Sequence, residues 1–121
     1  MSDDRKKFGN WGEDLAADFL KKKGYRIIER NFRVHKMGEI DIVCEYKGKI
    51  IFAEVRAKSG RSFCSPEESV GPNKKKKLVL MANFYLSAKK LWDKPFAIDG
   101  VFIEYDGDDY EIRHLENMIE L

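Results

Sequence analysis

The 121-residue chain predicts an α/β fold with the element order α-β-β-β-α-β-β, a mixed sheet flanked by helices. Three observations lead there. Two segments carry apolar residues at helical spacing, several short runs are rich in Ile, Val and aromatic residues, and turn residues punctuate them. A chain of this length is expected to form one domain over residues 1–121, with a core that needs no staples.

Taken in order, Phe8 to Lys23 reads as a helix, with Phe8, Trp11, Leu15, Ala16, Phe19 and Leu20 on one stripe and Gly24 as its C-terminal cap. Tyr25 to Arg33 reads as a strand whose end, Arg30-Asn31-Phe32-Arg33, is basic with an aromatic inside. Residues 38–58 read as two strands around a Lys47-Gly48 turn. Ser59 to Asn73 is expected to be a mobile loop holding at most one helical turn, Pro66–Val70. A second helix is predicted from about Lys74 to Trp92, with Leu78, Met81, Ala82, Tyr85, Ala88 and Trp92 at its spacing. Phe96–Tyr105 and Tyr110–His114 complete the strands, joined by a turn at residues 106–109.

The central hairpin puts acids where a plain hairpin does not want them. Pairing Tyr46 with Lys49 sets Asp41 opposite Glu54 and Glu39 opposite Arg56. Side chains alternate along a strand, so Glu39, Asp41, Glu54, Arg56 and Lys58 are expected on one face. Ile40, Ile42, Ile51, Ala53, Val55 and Ala57 are expected on the core face. Like charges directly opposite each other destabilise a ladder, so two carboxylates there make most sense around a cation. Carboxylate oxygens suit Mg²⁺ or Mn²⁺, and such an ion beside a basic side chain is equipment for phosphodiester hydrolysis. A plainer alternative makes Glu39–Arg56 a cross-strand ion pair and leaves Asp41 and Glu54 on a solvated face. Against it, Ile50 and Phe52 share the face of Glu54, and Val43 lies opposite Phe52.

Two other features carry paired readings. Glu13, placed in the first turn of the first helix, is either a further acid for a metal site or part of a capping box. Lys74-Lys75-Lys76-Lys77 opens the second helix, where each cation opposes the macrodipole at a cost of about 0.3–1 kcal/mol. A nucleic-acid backbone would relieve that cost; a solvated basic run is the alternative. His35 and His114 are isolated and read as structural or exposed.

Residues 1–96 hold 22 lysines and arginines against 13 acids, whereas residues 97–121 hold one arginine against eight. That asymmetry suggests a basic side toward a polyanion and an acidic edge turned away. Cys44 and Cys64 are too few for a disulfide framework, and Cys44 reads as a buried hydrophobe. No apolar stretch follows the opening Met-Ser-Asp-Asp-Arg-Lys-Lys and no run approaches a membrane span. The expected location is therefore the cytoplasm, with reduced thiols.

Gly9-Asn10-Trp11-Gly12-Glu13 with Ala16, Gly24-Tyr25, Arg30-Asn31-Phe32-Arg33, Gly38-Glu39-Ile40-Asp41, Glu54-Val55-Arg56 and Ser65-Pro66 together resemble the YraN-like family of bacterial proteins. The resemblance covers nearly the whole chain. It implies the restriction-endonuclease-like αβββαβ core, here with an extra C-terminal strand, in a layout similar to archaeal Holliday-junction resolvases. It further implies a metal site from Glu13, Asp41, Glu54 and the Val55 carbonyl, with a catalytic lysine two residues after the second acid. This chain has Arg56 there. Arginine does not give up its proton, so it can stabilise a charged phosphate but cannot act as a base. Lys58 lies on the same strand face, about 7 Å further along.

The leading expectation is a Mg²⁺- or Mn²⁺-dependent nuclease, or nuclease-like protein, acting on structured or branched DNA. Asp41 and Glu54 would hold the metal, Arg56 or Lys58 would stabilise the transition state, and Arg30, Arg33 and Lys74–Lys77 would grip the backbone. The rival is a non-catalytic nucleic-acid-binding or adaptor protein on the same fold; a third reading is a protein-interaction domain with a structural acid cluster. Nucleic acid, DNA foremost, and a second copy of the chain are the partners these readings allow; a membrane is not.

Overall fold

A computed structural model describes residues 2–60 and 69–120, with side chains from Lys7 onward. Helix α1 spans Ser2–Lys22, followed by strands β1 (Arg26–Val34), β2 (Gly38–Tyr46) and β3 (Lys49–Ser59). Helix α2 spans Pro72–Ala88 and leads to β4 (Phe96–Tyr105) and β5 (Tyr110–Leu115). The strands form one sheet in the order β1-β2-β3-β4-β5. The β3–β4 pair is parallel and the others antiparallel, so the sheet is mixed and α2 is the crossover between its parallel strands.

Helices cover both faces. Ala16, Ala17 and Leu20 of α1 pack on Ile42, Cys44, Ile51, Ala53, Val101 and Ile103. Leu78, Met81, Ala82 and Tyr85 of α2 pack on Val43, Ile50, Phe52, Ile98 and Phe102. Burial on both faces explains why β4 reads as a continuous apolar run rather than an alternating one. Cys44 is buried as expected, and burial pushes its thiol up to about 12.

Local chemistry sets the element ends. Lys47 and Gly48 both have positive φ, 51° and 79°, which gives the two-residue turn and the Tyr46–Lys49 pair that the sequence predicts. Gly24 closes α1 at φ 96°, with Gly24 N–H donating to the Lys21 carbonyl and Tyr25 N–H to that of Leu20, a Schellman end. Helix α2 ends in the same way without a glycine. Lys90 takes φ 57° and Leu91 N–H donates to the Leu86 carbonyl at 2.7 Å. The helix therefore stops at Ala88 rather than Trp92, leaving Trp92 67% exposed and Ala88 at the surface.

Two further expectations change. Helix α1 begins at Ser2, not Phe8, because its first turns are polar and carry no apolar period. Glu13 is consequently mid-helix, and the capping-box reading of residues 10–13 falls. Helix α2 begins at Pro72, whose missing N–H suits a first helical position, rather than at about Lys74. Cys64, the Ser65-Pro66 pair and most of the turn expected at Pro66–Val70 lie outside the described residues; Val70 itself is buried in the α2-side core.

Gly12 fixes how closely α1 approaches the sheet. A Cβ at this buried position would lie 2.9 Å from Ala57 Cβ, a contact with no flexible side chain to yield. Gly12→Ala gains up to about 1 kcal/mol in helix propensity. Overpacking costs roughly 1–3 kcal/mol, so the net change should be destabilising. Urea unfolding should show the loss, and Ala57→Gly in the same chain should recover part of it; additive effects of the two changes would mean that the helix simply moves away.

Candidate functional site

The expected register holds from Tyr46–Lys49 through Ile42–Ala53, and there the β2–β3 ladder ends. Beyond it, β3 continues alongside β4 as far as Ser59–Tyr105. Asp41 stands at the point of divergence. Instead of a backbone partner, Val55 N–H donates to Asp41 Oδ2 at 2.8 Å.

A disturbance in the neighbouring ladder accounts for that orientation. Between the pairs Arg30–Ile42 and Phe32–Ile40, Asn31 has φ 54°, a left-handed conformation that asparagine tolerates. Ile42 packs in the α1-side core and Ile40 in the α2-side core, although regular alternation would put both on one face. The expectation that Ile40 and Ile42 share a core face is thereby corrected. Asp41, between them, leaves the common face assigned to it and reaches along the sheet to the Val55 amide.

The carboxylate of Glu54, on the next strand, is only 5% exposed. Its neighbour on β4 is Gly100, and the Phe102 ring occupies the space that a Cβ on Gly100 would need. Glu54 Oε2 lies 3.4 Å from Arg56 Nε and 3.6 Å from Lys74 Nζ. The pairing of Glu39 with Arg56 expected from the register does not occur, because the ladder ends first. Glu39 pairs with Arg33 across β1–β2 instead.

Burial pushes the Asp41 carboxyl up to about 8, and the charge of Glu54 adds to the shift. The Val55 N–H opposes it, while a hydrogen bond to Glu54 and the charge of Glu13 raise it further. At neutral pH the Asp41 carboxyl is therefore largely protonated beside Glu54.

Glu13 faces the same region but is held elsewhere: Asn31 Nδ2 donates to Glu13 Oε1 at 2.8 Å, and Arg30 approaches that oxygen at 3.5 Å. Among the described residues, no three His, Cys, Asp or Glu side chains converge closely enough to hold a metal ion. Arg30 also pairs with Asp14 at 2.8 Å. Lys58 is exposed on β3, with Glu104 as its register neighbour on β4. Lys75 is half-buried, and Lys76 and Lys77 are exposed on the first turns of α2, where Gly71 supplies no side-chain cap.

One polar constellation escaped the sequence reading. Asp99, 2% exposed in β4, accepts from His114 Nε2 at 2.8 Å and from Asn117 N–H at 2.9 Å. Lys23 Nζ reaches His114 Nδ1 at 2.7 Å, so the imidazole is held at both nitrogens. An acid inside the apolar run Phe96–Ile103 was the available signal.

The acid pair generates a pH dependence. Asp41 has a folded pKa of about 8, above its ordinary 3.8, so the protonated form favours folding. Its contribution is complete below the ordinary value and is lost as pH rises through 8. Thermal melts in EDTA should show stability falling over that window, and Asp41→Asn should flatten the fall while keeping an acceptor for Val55 N–H. Equal slopes in both proteins would refute a raised Asp41 carboxyl.

Comparison with known proteins completes the picture. Residues 12–103 match the model of Uncharacterised protein family UPF0102. A UPF0102 protein of Desulforamulus reducens is 41% identical, the match covering 98% of this chain and all of that one. A UPF0102 protein of Syntrophomonas wolfei is 40% identical over 93% and 96% of the two chains, and one of Syntrophotalea carbinolica 34% identical over 100% and 98%. With the matched span running from within α1 to within β4, and relatives matched over nearly their whole lengths, the chain belongs to the UPF0102 family, the YraN-like proteins.

Proposed function

We propose that the protein is a metal-dependent nuclease acting on structured or branched DNA. The observation that carries this reading is the meeting of Asp41 and Glu54 where β2 and β3 part: the Val55 amide, next after Glu54, holds Asp41 at 2.8 Å, and Glu54 is buried with Arg56 and Lys74 at 3.4 and 3.6 Å. Such a pair is destabilised by its own charge and relieved by a cation. The donors are all oxygen, which fits Mg²⁺ or Mn²⁺ and not a softer ion. Asp41, Glu54 and the Val55 carbonyl are the ligands in this reading, with Glu13 as the third acid. Once bound, a divalent cation supplies an activated water and neutralises charge on the scissile phosphate.

The chain's own residues do the rest. The Val55 N–H aims the Asp41 carboxylate, and Glu54 is buried beside it. Arg56 offers a fixed positive charge beside Glu54. Arg30, Arg33 and Lys75–Lys77 are the backbone contacts in this reading. For Arg30 and Arg33 that means exchanging acid partners on the protein for phosphates. The choice of branched DNA rests on the resemblance to resolvases. One observation favours a binding-only alternative: Arg56 cannot act as a base where the resemblance has a lysine.

A cleavage screen over linear, flapped, four-way and single-stranded substrates, with Mg²⁺ and with Mn²⁺, tests this. Cleavage of at least one branched substrate is expected, and Asp41→Asn should reduce it by roughly 100-fold or more, since even outer-shell partners of metal ligands matter on the 10–100-fold scale. Tight binding without cleavage on any substrate would favour the adaptor. Binding should weaken with salt by about 0.9 log units per neutralised phosphate per tenfold salt. Replacing Lys75, Lys76 and Lys77 by Ser should flatten that slope; an unchanged slope would leave those lysines facing only water.

A further inference from the structure

We propose that Lys74 is the active-site ammonium of this chain, taking the phosphate contact that the resemblance assigns to position 56. The inference rests on the nuclease reading above and adds the residue that meets the substrate. Its basis is the approach of Lys74 Nζ to within 3.6 Å of Glu54 Oε2, from a different element and from more than a dozen residues further along the chain.

The cations around the acid pair differ in how firmly they are held. Arg30 makes a 2.8 Å contact with Asp14, and Arg33 a short one with Glu39. These are lengths of charge-assisted hydrogen bonds. Lys74 stands beyond that length from Glu54, so it gives charge to the site without being fastened in it. It can turn a proton donor to a phosphate oxygen without giving up a short bond. Arg56 is similarly distant, at 3.4 Å, but its planar guanidinium approaches through Nε from the same strand, two residues after the acid. Lys74 has a compact charge on a four-carbon stem and approaches from the opposing helix.

Its base is rigid. Val70 and Leu78, four residues to either side, are 1% and 2% exposed in the α2-side core. The backbone that carries Lys74 is therefore pinned at both ends, as a positioned group requires. The three lysines that follow are more weakly engaged: Lys76 and Lys77 are exposed, and Lys75 borders an apolar groove with Val79 and Leu80. The lysine run thus divides into one site residue and three surface residues.

Calorimetry separates this inference from the reading beneath it. Mn²⁺ is titrated first, then inorganic phosphate into the Mn²⁺-loaded protein. Lys74→Gln should bind Mn²⁺ at least as tightly as wild type, because a competing cation has left Glu54. It should lose about tenfold or more in phosphate affinity, the scale of one charged hydrogen bond. Lys74→Arg should retain most of that affinity, and Lys90→Gln, the same charge change at the far end of α2, should retain all of it. Unchanged phosphate affinity in Lys74→Gln, or a loss seen in Arg56→Gln instead, overturns the role of Lys74 while leaving the metal site standing. Absence of Mn²⁺ binding by wild type overturns the metal site and the inference together.

Discussion

The hydrogen bond from Val55 N–H to Asp41 Oδ2 is the contact on which the rest of the site depends. A backbone donor within a sheet must find an acceptor, and normally a neighbouring strand supplies it. Here a side chain does, which lets β2 and β3 part company after Ile42–Ala53 without leaving that amide unsatisfied. Separation of the strands leaves the Asp41 side chain, rather than a backbone carbonyl, facing the Val55 amide. The same bond aims Asp41 and opposes the rise in its pKa, though not enough to offset burial and the nearby charge of Glu54. Geometry and electrostatics thus share one origin.

The parallel pairing of β3 with β4 has a second consequence. An antiparallel pair can be joined by two residues, whereas a parallel pair needs a crossover, and α2 is that crossover. Packing α2 along one face returns its first turn to the region of Glu54, where Lys74 reaches the carboxylate. Helix α1 on the other face contributes Glu13, held by Asn31 at the very residue whose positive φ disturbs the β1 strand. Three elements on two faces therefore converge where the sheet is least regular.

Much of this was legible in the sequence because it depends on short-range rules. Lys47-Gly48 specified a turn with two positive φ angles, and that turn carried the register as far as Ile42–Ala53. The proximity of Asp41 and Glu54 followed from it. The direction of Asp41 did not, since it requires a left-handed residue on β1 and nothing around Asn31 announces one beyond the tolerance of asparagine for that conformation. Glu13 was misplaced within its helix because polar first turns have no hydrophobic period to read. The end of α2 was misplaced because Lys90 performs the closure that a glycine would have marked. Lys74 was read as part of a run, and only the packing of α2 distinguishes it from its neighbours.

Among the described residues two acids are buried, Glu54 and Asp99, and the comparison between them bears on function. Asp99 has a complete shell: His114 on one oxygen and the Asn117 amide on the other, both at hydrogen-bonding length. A buried charge satisfied in this way needs nothing more and ties the C-terminal segment to β4. Glu54 has cations at 3.4 and 3.6 Å and a second acid that competes for the same positive charge. A site built only for stability would resolve that competition by adding a close partner or removing an acid. Glu54 instead keeps Asp41 beside it, with Arg56 and Lys74 near but beyond the length of a short charge-assisted bond. One chain thus satisfies its two buried acids differently, Asp99 by close hydrogen bonds and Glu54 by two more distant cations.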